Sequence, residues 1–413
     1  MGSMSERMRR YAVELTAVAG VVIMVLAAAA PRAQQAPALD PAAIRAAVER
    51  ALTRAPRGFE ALQSPQQTGV RVREVEVQQT NSGHRLTIDL SQRALTYDPR
   101  GGVEALTDHV IASTAPLTAG ARNLEYRILI DGLPLDQFMT RVVVPGARES
   151  PGRMGTRQAG VTGPVVISAG HGWYYDEWFT AWRLQRDYYW GIVEDFVNHD
   201  IVRYLDAEMK AAGLDARTVR NPDREAGPGT SGRARWEESA KYHIRELGAP
   251  PAIWDYGVDD YSKDINSRPF FANWIESVAV VSIHNNGGGG TGTETWYDAT
   301  NGHEEESRRL AEIVNAKVVA AIRAGYDPNW PDRGLRTCNG CKGETRLAAR
   351  PAIIVEIAYM DTKIPDNQAL HSEVFKQLVA QAIREGLQEW GLRPNIPEMT
   401  ESPDREISGA KPY

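Results

Sequence analysis

The sequence predicts an α/β fold: a twisted, mostly parallel sheet with helices on both faces, preceded by a small α+β domain. Three observations predict it. From about residue 161 onward, short apolar runs alternate with amphipathic stretches of helical period, as in strands covered on both faces. Before that, two segments alternate strictly between apolar and polar residues, the mark of half-buried strands. The composition of the 413 residues, 42% hydrophobic and 24% charged, with 36 Gly, 24 Pro and 2 Cys, lies near the globular average. That excludes fibrous, collagen-like and wholly disordered chains. The length suggests two or three domains, and two cysteines cannot build a disulfide-rich scaffold. A net charge of −6 gives no general attraction to nucleic acid. The one stretch apolar enough to meet a membrane lies at the N-terminus, so a bundle of membrane helices is excluded.

Arg7, Arg9 and Arg10 precede a charge-free run from Leu15 to Ala30. A basic region, an apolar region and small residues at the end make residues 1–33 a secretory signal peptide, cut near Ala30 or Ala33. Tyr11–Ala30 is also just long enough to stay as an uncleaved anchor, although Glu14 sits inside it. By either route the protein is exported, to the periplasm, the cell envelope or the exterior. Membrane contact would run through that segment alone. Asp40 caps a helix that has Pro41 at its first position and runs through Ala42–Arg54. Leu86, Ile88 and Leu90 alternate with polar residues; so do Leu124, Tyr126, Ile128 and Ile130, ended by the turn Asp131-Gly132. Val103–Ser113 between them reads as a helix. These elements form the small α+β domain, 41–150, which holds no cluster of His, Cys or carboxylates and is assigned no chemistry.

A Gly/Arg/Pro-rich joint (Pro145–Gly163) leads to the second domain, 161–392. Val165–Ile167 is an apolar run ending in Ser-Ala-Gly-His-Gly. Val193, Val197, Ile201 and Leu205 form one stripe of a helix over about Val193–Ala212, with Gly213 at its C-cap position. Leu214–Val219, Val278–Ile283 and Pro351–Ile357 read as strands. Helices are expected near Gly232–Leu247, at 303–324 and at 370–390. Residues 393–413 form a polar, Pro-rich tail expected to be disordered.

Four residues share one setting. His171 follows the run Val165–Ile167. Glu194 lies in the first turn of the next helix. His284 ends the run Val278–Ile283, and Glu356 lies in the last strand. Functional groups gather where the strands of an α/β sheet end, and a His or Glu at the end of a buried strand is costly without a partner. Two His and one carboxylate are a common ligand set for catalytic zinc, and a second carboxylate can shuttle the proton. Taken singly, each is as well read as a structural His or a Glu paired with an Arg. No short zinc motif such as H-E-x-x-H is present.

These segments, in this order, resemble the zinc-dependent N-acetylmuramoyl-L-alanine amidases of the amidase 3 type. The carriers are Ser-Ala-Gly-His171-Gly, Glu194 at a helix start, Val-Ser-Ile-His284-Asn-Asn and Pro-Ala-Ile-Ile-Val-Glu356. Thr218-Val219-Arg220, Arg268 through Asn273 and Arg333-Gly334-Leu335 match the connecting text. The resemblance implies that His171, Glu194 and His284 hold zinc (Zn2+), that Glu356 is the general base and acid, and that the substrate is peptidoglycan. Asn286 matches an Asn that makes a structural or substrate hydrogen bond. The chain departs from the family pattern in three places. Ser168-Ala169 stands where Asp-Pro is usual. The step from His171 to Glu194 is 23 residues and carries nine aromatics: Trp173, Tyr174, Tyr175, Trp178, Phe179, Trp182, Tyr188, Tyr189 and Trp190. They either stack on substrate or pack the loop. Glu177 in this stretch is a rival ligand. The step from Glu194 to His284 is 90 residues. Some relatives carry an inserted helix that covers the zinc until an activator protein removes it, and 221–265 is the candidate for that role.

Residues 85–132 faintly resemble GerM-type domains, which implies a binding or positioning role. Cys338 and Cys341 read as a local disulfide of an exported protein. The reading reached is an exported zinc amidase of the cell wall. Its rivals are a non-catalytic wall-binding protein and a zinc peptidase acting on stem peptides.

Overall fold

The computed structural model of the chain describes residues 39–53, 69–96, 102–139, 160–177 and 179–394. The expected signal segment 1–33, most of the joint Pro145–Gly163, Trp178 and the tail beyond residue 394 lie outside the described residues.

Helix α1 (Pro41–Leu52) starts as its sequence dictates: Pro41 has no N–H to leave unsatisfied, and the Asp40 side chain accepts from Ala42 N at 2.9 Å. Strands β1 (Val72–Gln79) and β2 (His84–Leu90), helix α2 (Gly102–Thr114), and strands β3 (Leu124–Ile130) and β4 (Leu133–Pro134) follow. After residue 160 come β5 (Val165–Ala169) and the short strands β6 (Tyr174–Asp176), β7 (Ala181–Arg183), β8 (Tyr188–Tyr189) and β9 (Ile192–Val193). Helix α3 (Glu194–Ala211) buries Val197, Ile201 and Leu205 on the expected stripe. Next are β10 (Ala216–Thr218) and helices α4 (Ala240–Glu246), α5 (Pro251–Trp254) and α6 (Asp260–Trp274). Strands β11 (Ala279–Asn286) and β12 (Thr293–Asp298), helix α7 (Glu304–Gly325), strand β13 (Asp332–Cys338), helix α8 (Gly343–Arg346), strand β14 (Ala352–Tyr359) and helices α9 (Gln368–Leu370) and α10 (Glu373–Trp390) complete the chain.

One sheet runs through the described residues in the order β1-β2-β3-β13-β12-β14-β11-β5-β10, with β4 beside β3. Six of the eight neighbour pairs in that order are parallel; only β1/β2 and β12/β14 are antiparallel. The α/β expectation of a mostly parallel, covered sheet holds. Strands β1–β3 of the expected small domain extend this same sheet, β3 pairing with β13 at Leu124–Arg336 through Tyr126–Cys338.

Side chains alternate across a strand, and the alternation sorts the core. Val165, Ile167, Val281, Ile283, Ile353, Val355 and Ile357 face the layer of α3, α7 and α10. Val166, Val280 and Ala352 face the other way, toward Phe270 and Phe271 of α6. On that second face Ile354 and Trp296 join the core of α1, α2, β2 and β3, with Ile44, Val48, Leu106, Val110, Leu86 and Ile88. His284 and Glu356 share that face by the same alternation. They lie between α6 on one side and α2 on the other.

The helix expected over Gly232–Leu247 is confined to α4. Residues 228–234 form a tight turn instead, with Gly229 N donating to Arg233 O at 2.7 Å and Gly232 at φ +77°. Cys338 and Cys341 are joined by a disulfide. Among the described residues no helix is long and apolar enough to cross a membrane.

Candidate metal centre

The turn after β5 is built for close approach. A Cβ on Gly170 would stand 2.2 Å from His284 Cε1, so only glycine lets the two histidines meet. His171 itself is in the left-handed region, at φ +68°, a conformation uncommon outside glycine that histidine adopts more readily than most side chains. Gly172 is at φ +126° and packs against the Ser239 backbone. Asp195 clamps the turn: its Oδ1 accepts from Gly172 N and from Gln185 N, each at 2.9 Å. Arg220, fully buried, donates to the carbonyls of Gly170 at 3.3 Å and Asp195 at 2.6 Å. Gly170→Ala should therefore displace the His284 ring and weaken zinc binding at least tenfold, within the range for disturbed ligand support. A zinc titration of the folded variant checks this.

His171, Glu194 and His284 converge. Each offers a ligand atom, all three atoms lie within 4.8 Å of one another, and all three residues are buried. Glu194 Oε1 is 3.1 Å from His171 Nε2 and 3.1 Å from His284 Nδ1. The two rings stand edge to face, centroids 4.8 Å apart. Glu177, the rival, lies outside: its carboxylate is half exposed and 4.0 Å from Lys263 Nζ.

A ring of buried polar groups sets the tautomers. Asp264 can only accept, so the Gln185 amide turns its Nε2 toward it, at 2.9 Å. Gln185 Oε1 then faces His171 Nδ1 at 2.9 Å, which must carry the proton. His171 Nε2 is left with its lone pair, buried and without a hydrogen bond. On the other side Glu344 Oε1 accepts from His284 Nε2 at 3.0 Å, leaving Nδ1 for the cluster. Ser282 Oγ holds Glu344 Oε2 at 2.5 Å. Arg268, at the centre of α6, donates to both Glu344 and Asp264 and closes the ring.

Charge follows geometry. Burial, then the Arg186 cation, hold His171 below its ordinary pKa, so it is neutral. Burial opposes charge on His284 as well, but the carboxylates of Glu344 and Glu194 outweigh it and push the ring up to about 10. Glu194 accepts from Asn198 Nδ2 at 3.1 Å and from Asn285 N at 3.0 Å. Burial disfavours its charge, yet the two histidines and Arg186 draw it well below the usual carboxylate range.

Glu356 pairs in register with His284 across β14 and β11, and with Glu294 across β12. Its Oε2 is buried and unpartnered. Burial above all raises its carboxyl to about 7; Glu194 and Glu294 add to this, while His284 and Lys342 oppose it. Beside it lies a cavity of about 30 Å³, bordered by Asp108 and Ala112 of α2 and by Asn286, Arg333 and Lys342. That exceeds the roughly 10–15 Å³ a water needs. Lys342 pairs with Asp108 at 2.8 Å, so a helix of the N-terminal segment forms one wall. Asn286 donates to Glu294 Oε1 at 2.8 Å, a structural bond.

The sequence reading missed Gln185, Arg186, Asp264, Lys342 and Glu344; Arg268 entered it only through the family resemblance. The spacing of Asp264 and Arg268, one helical turn apart, was the one local signal for the ring. The aromatics of the 173–190 loop largely pack on one another and on 221–265: Tyr175 on Trp182, Trp182 on Tyr242, Tyr174 on Tyr261. Tyr188 and Trp190 stay exposed. His199 and His109 bond backbone carbonyls, of Asn221 and Ala51, and His371 that of Trp190.

Residues 165–389 match the sequence profile of the N-acetylmuramoyl-L-alanine amidase family Amidase_3. The sporulation-specific N-acetylmuramoyl-L-alanine amidase of Bacillus subtilis (strain 168) is 28% identical over 132 residues, 32% of this chain and 48% of that protein. The chain thus spans about half the length of this curated relative. Among solved structures, the amidase AmiC2 of Nostoc punctiforme is 21% identical, with 56% of this chain and 98% of that chain covered and a TM-score of 0.37. The amidase Ami1 from Mycobacterium smegmatis is 18% identical, with 56% and 98% covered and a TM-score of 0.38. With more than half of its length matched to the profile, the chain belongs to the N-acetylmuramoyl-L-alanine amidase family.

Proposed function

We propose that the protein is a zinc-dependent hydrolase of peptidoglycan. It cleaves the amide between the lactyl group of N-acetylmuramic acid and L-alanine. The observation that carries this reading is the convergence of His171, Glu194 and His284 beside the unpartnered carboxyl of Glu356, inside the segment that matches the family. Two imidazole lone pairs and one carboxylate oxygen suit zinc with a position left open. The buried, unpartnered His171 Nε2 fits a ligand atom, and each histidine's other nitrogen is anchored as ligating histidines require. When bound, the ion would acidify water and polarise the scissile carbonyl. Glu356, held near neutrality by burial, takes the proton of the attacking water and passes it to the leaving amine of L-alanine. A peptidoglycan substrate places the enzyme in the cell envelope or outside the cell.

Zinc must displace a proton from His284, which is charged at neutral pH in the metal-free site. Binding at pH 7 should therefore release at least one proton, from His284 and in part from Glu356, and affinity should fall as pH falls. Calorimetry in buffers of different ionisation enthalpy measures this.

The test of function is the full chain, zinc-loaded, on purified peptidoglycan, with products identified by mass spectrometry. Free stem peptides with an intact L-alanine amine are expected. Cuts within the stem would make it a peptidase. Binding to the wall with neither zinc nor product would leave only a wall-binding role.

A further inference from the structure

The two steps that are longer than the family pattern meet at one point. Arg186, from the stretch between His171 and Glu194, lies over the cluster with its Nε 3.3 Å from Glu194 Oε2. Its Nη1 donates to Tyr261 Oη, from the stretch between Glu194 and His284, and to Gln185 O, each at 3.1 Å. Its Nη2 makes no hydrogen bond among the described residues, and 31% of the side chain is exposed, where the three cluster side chains are 9% exposed or less. Arg186 is therefore more open to solvent than the three side chains of the cluster.

Support of Glu194 alone does not account for this residue. Asn198 and Asn285 donate to Glu194 Oε1, and Arg186 meets Oε2 through Nε alone, which leaves its Nη2 edge over for another acceptor. A guanidinium is permanently charged and planar. Fixed by Tyr261 and Glu194, it presents its remaining N–H edge without needing to reorganise, the condition under which a donor stabilises developing charge.

Building on the amidase reading, we propose that Arg186 is a catalytic residue whose free guanidinium edge binds the scissile carbonyl oxygen and stabilises its developing negative charge. The step balances. The water oxygen bonds to the carbonyl carbon and its proton goes to Glu356. The carbonyl π pair moves onto the oxygen facing Arg186. When the pair returns, the C–N bond breaks and the proton leaves with the amine. Tyr261 is a positioning residue that acts through Arg186.

Arg186→Met, Arg186→Lys and Tyr261→Phe test this with three readouts: kcat and KM, zinc affinity, and binding of inorganic phosphate, a tetrahedral oxyanion, to the zinc-loaded protein. Arg186→Met should lower kcat at saturating zinc about 10²–10³-fold, with KM within threefold and phosphate binding weakened at least tenfold, whatever part of its zinc affinity is lost with the contact to Glu194. Arg186→Lys should recover part of both losses, and Tyr261→Phe should show a smaller loss in kcat. A kcat restored to within threefold of wild type by saturating zinc would overturn the proposal and leave Arg186 a support for Glu194. Unchanged phosphate binding would overturn it as well. A wild type that binds zinc but releases no stem peptide would sink the amidase reading instead; the phosphate and zinc readouts would still decide whether Arg186 is the anion-binding group of the centre.

Discussion

Glu356→Gln is expected to lower turnover about 10²–10⁴-fold, the range for a lost general base, while zinc still binds stoichiometrically. The amide matches the carboxyl in volume, and Oε2 has no partner to lose. Burial raises the wild-type carboxyl to about 7. A carboxyl raised in the folded state contributes stability that is full below its unfolded value, near 4.3, and is lost as pH rises through about 7. Glutamine carries no such loss, so the variant should be at least as stable as the wild type at pH 8. In the proposed role of base, the same group should set the acid limb of kcat/KM, the rate rising with pH as the carboxylate forms. In the zinc-loaded enzyme the limb lies below 7, because a nearby cation favours the carboxylate. Thermal unfolding at pH 6 and 8, with a pH–rate profile, measures both. A variant that keeps a tenth of the activity would remove Glu356 from the reaction.

Arg268→Met should cost about 3–5 kcal/mol of stability, the usual penalty for removing one partner of a buried ion pair. Arg268 is wholly buried and its two partners nearly so. Without it, Asp264 and Glu344 remain as facing carboxylates with their cation gone. The loss reaches the metal centre through both arms of the ring: Glu344 anchors His284, and Asp264 anchors Gln185 and through it His171. Zinc affinity should fall about 10–100-fold, as when a supporting hydrogen bond is lost. Urea denaturation with and without zinc separates the two effects. A stability loss under 1 kcal/mol would falsify the closed ring.

The sequence revealed the parts of this molecule whose burial is apolar. Val165–Ile167, Val278–Ile283 and the stripe of α3 are visible because hydrocarbon meets hydrocarbon there. Strands β12 and β13 and helix α6 escaped for the opposite reason. Glu294 is buried against Arg333 and Arg336, and Asp264 against Arg268, so positions facing the interior read as polar. Strand β1 escaped because none of its residues is fully buried. The trio that could hold a metal was legible only through the order of its motifs. The ring around it was not, because Gln185, Asp264 and Glu344 act through contacts between segments far apart in sequence, which no local pattern records.

The pairing of β3 with β13 has a consequence for how the chain is made. Asn123 and Leu335, 212 residues apart, are joined across this seam by a hydrogen bond. At about 5–20 residues per second, a ribosome needs roughly 10–40 s between the two strands. Throughout that interval β3 presents a bare edge rich in apolar side chains, the kind of edge that recruits other chains. Fragments cut at the joint should therefore aggregate when expressed singly and recover solubility when the two halves are co-expressed. The intact protein should unfold in one transition, and amide exchange should protect β2 and β3 as strongly as β11 and β14.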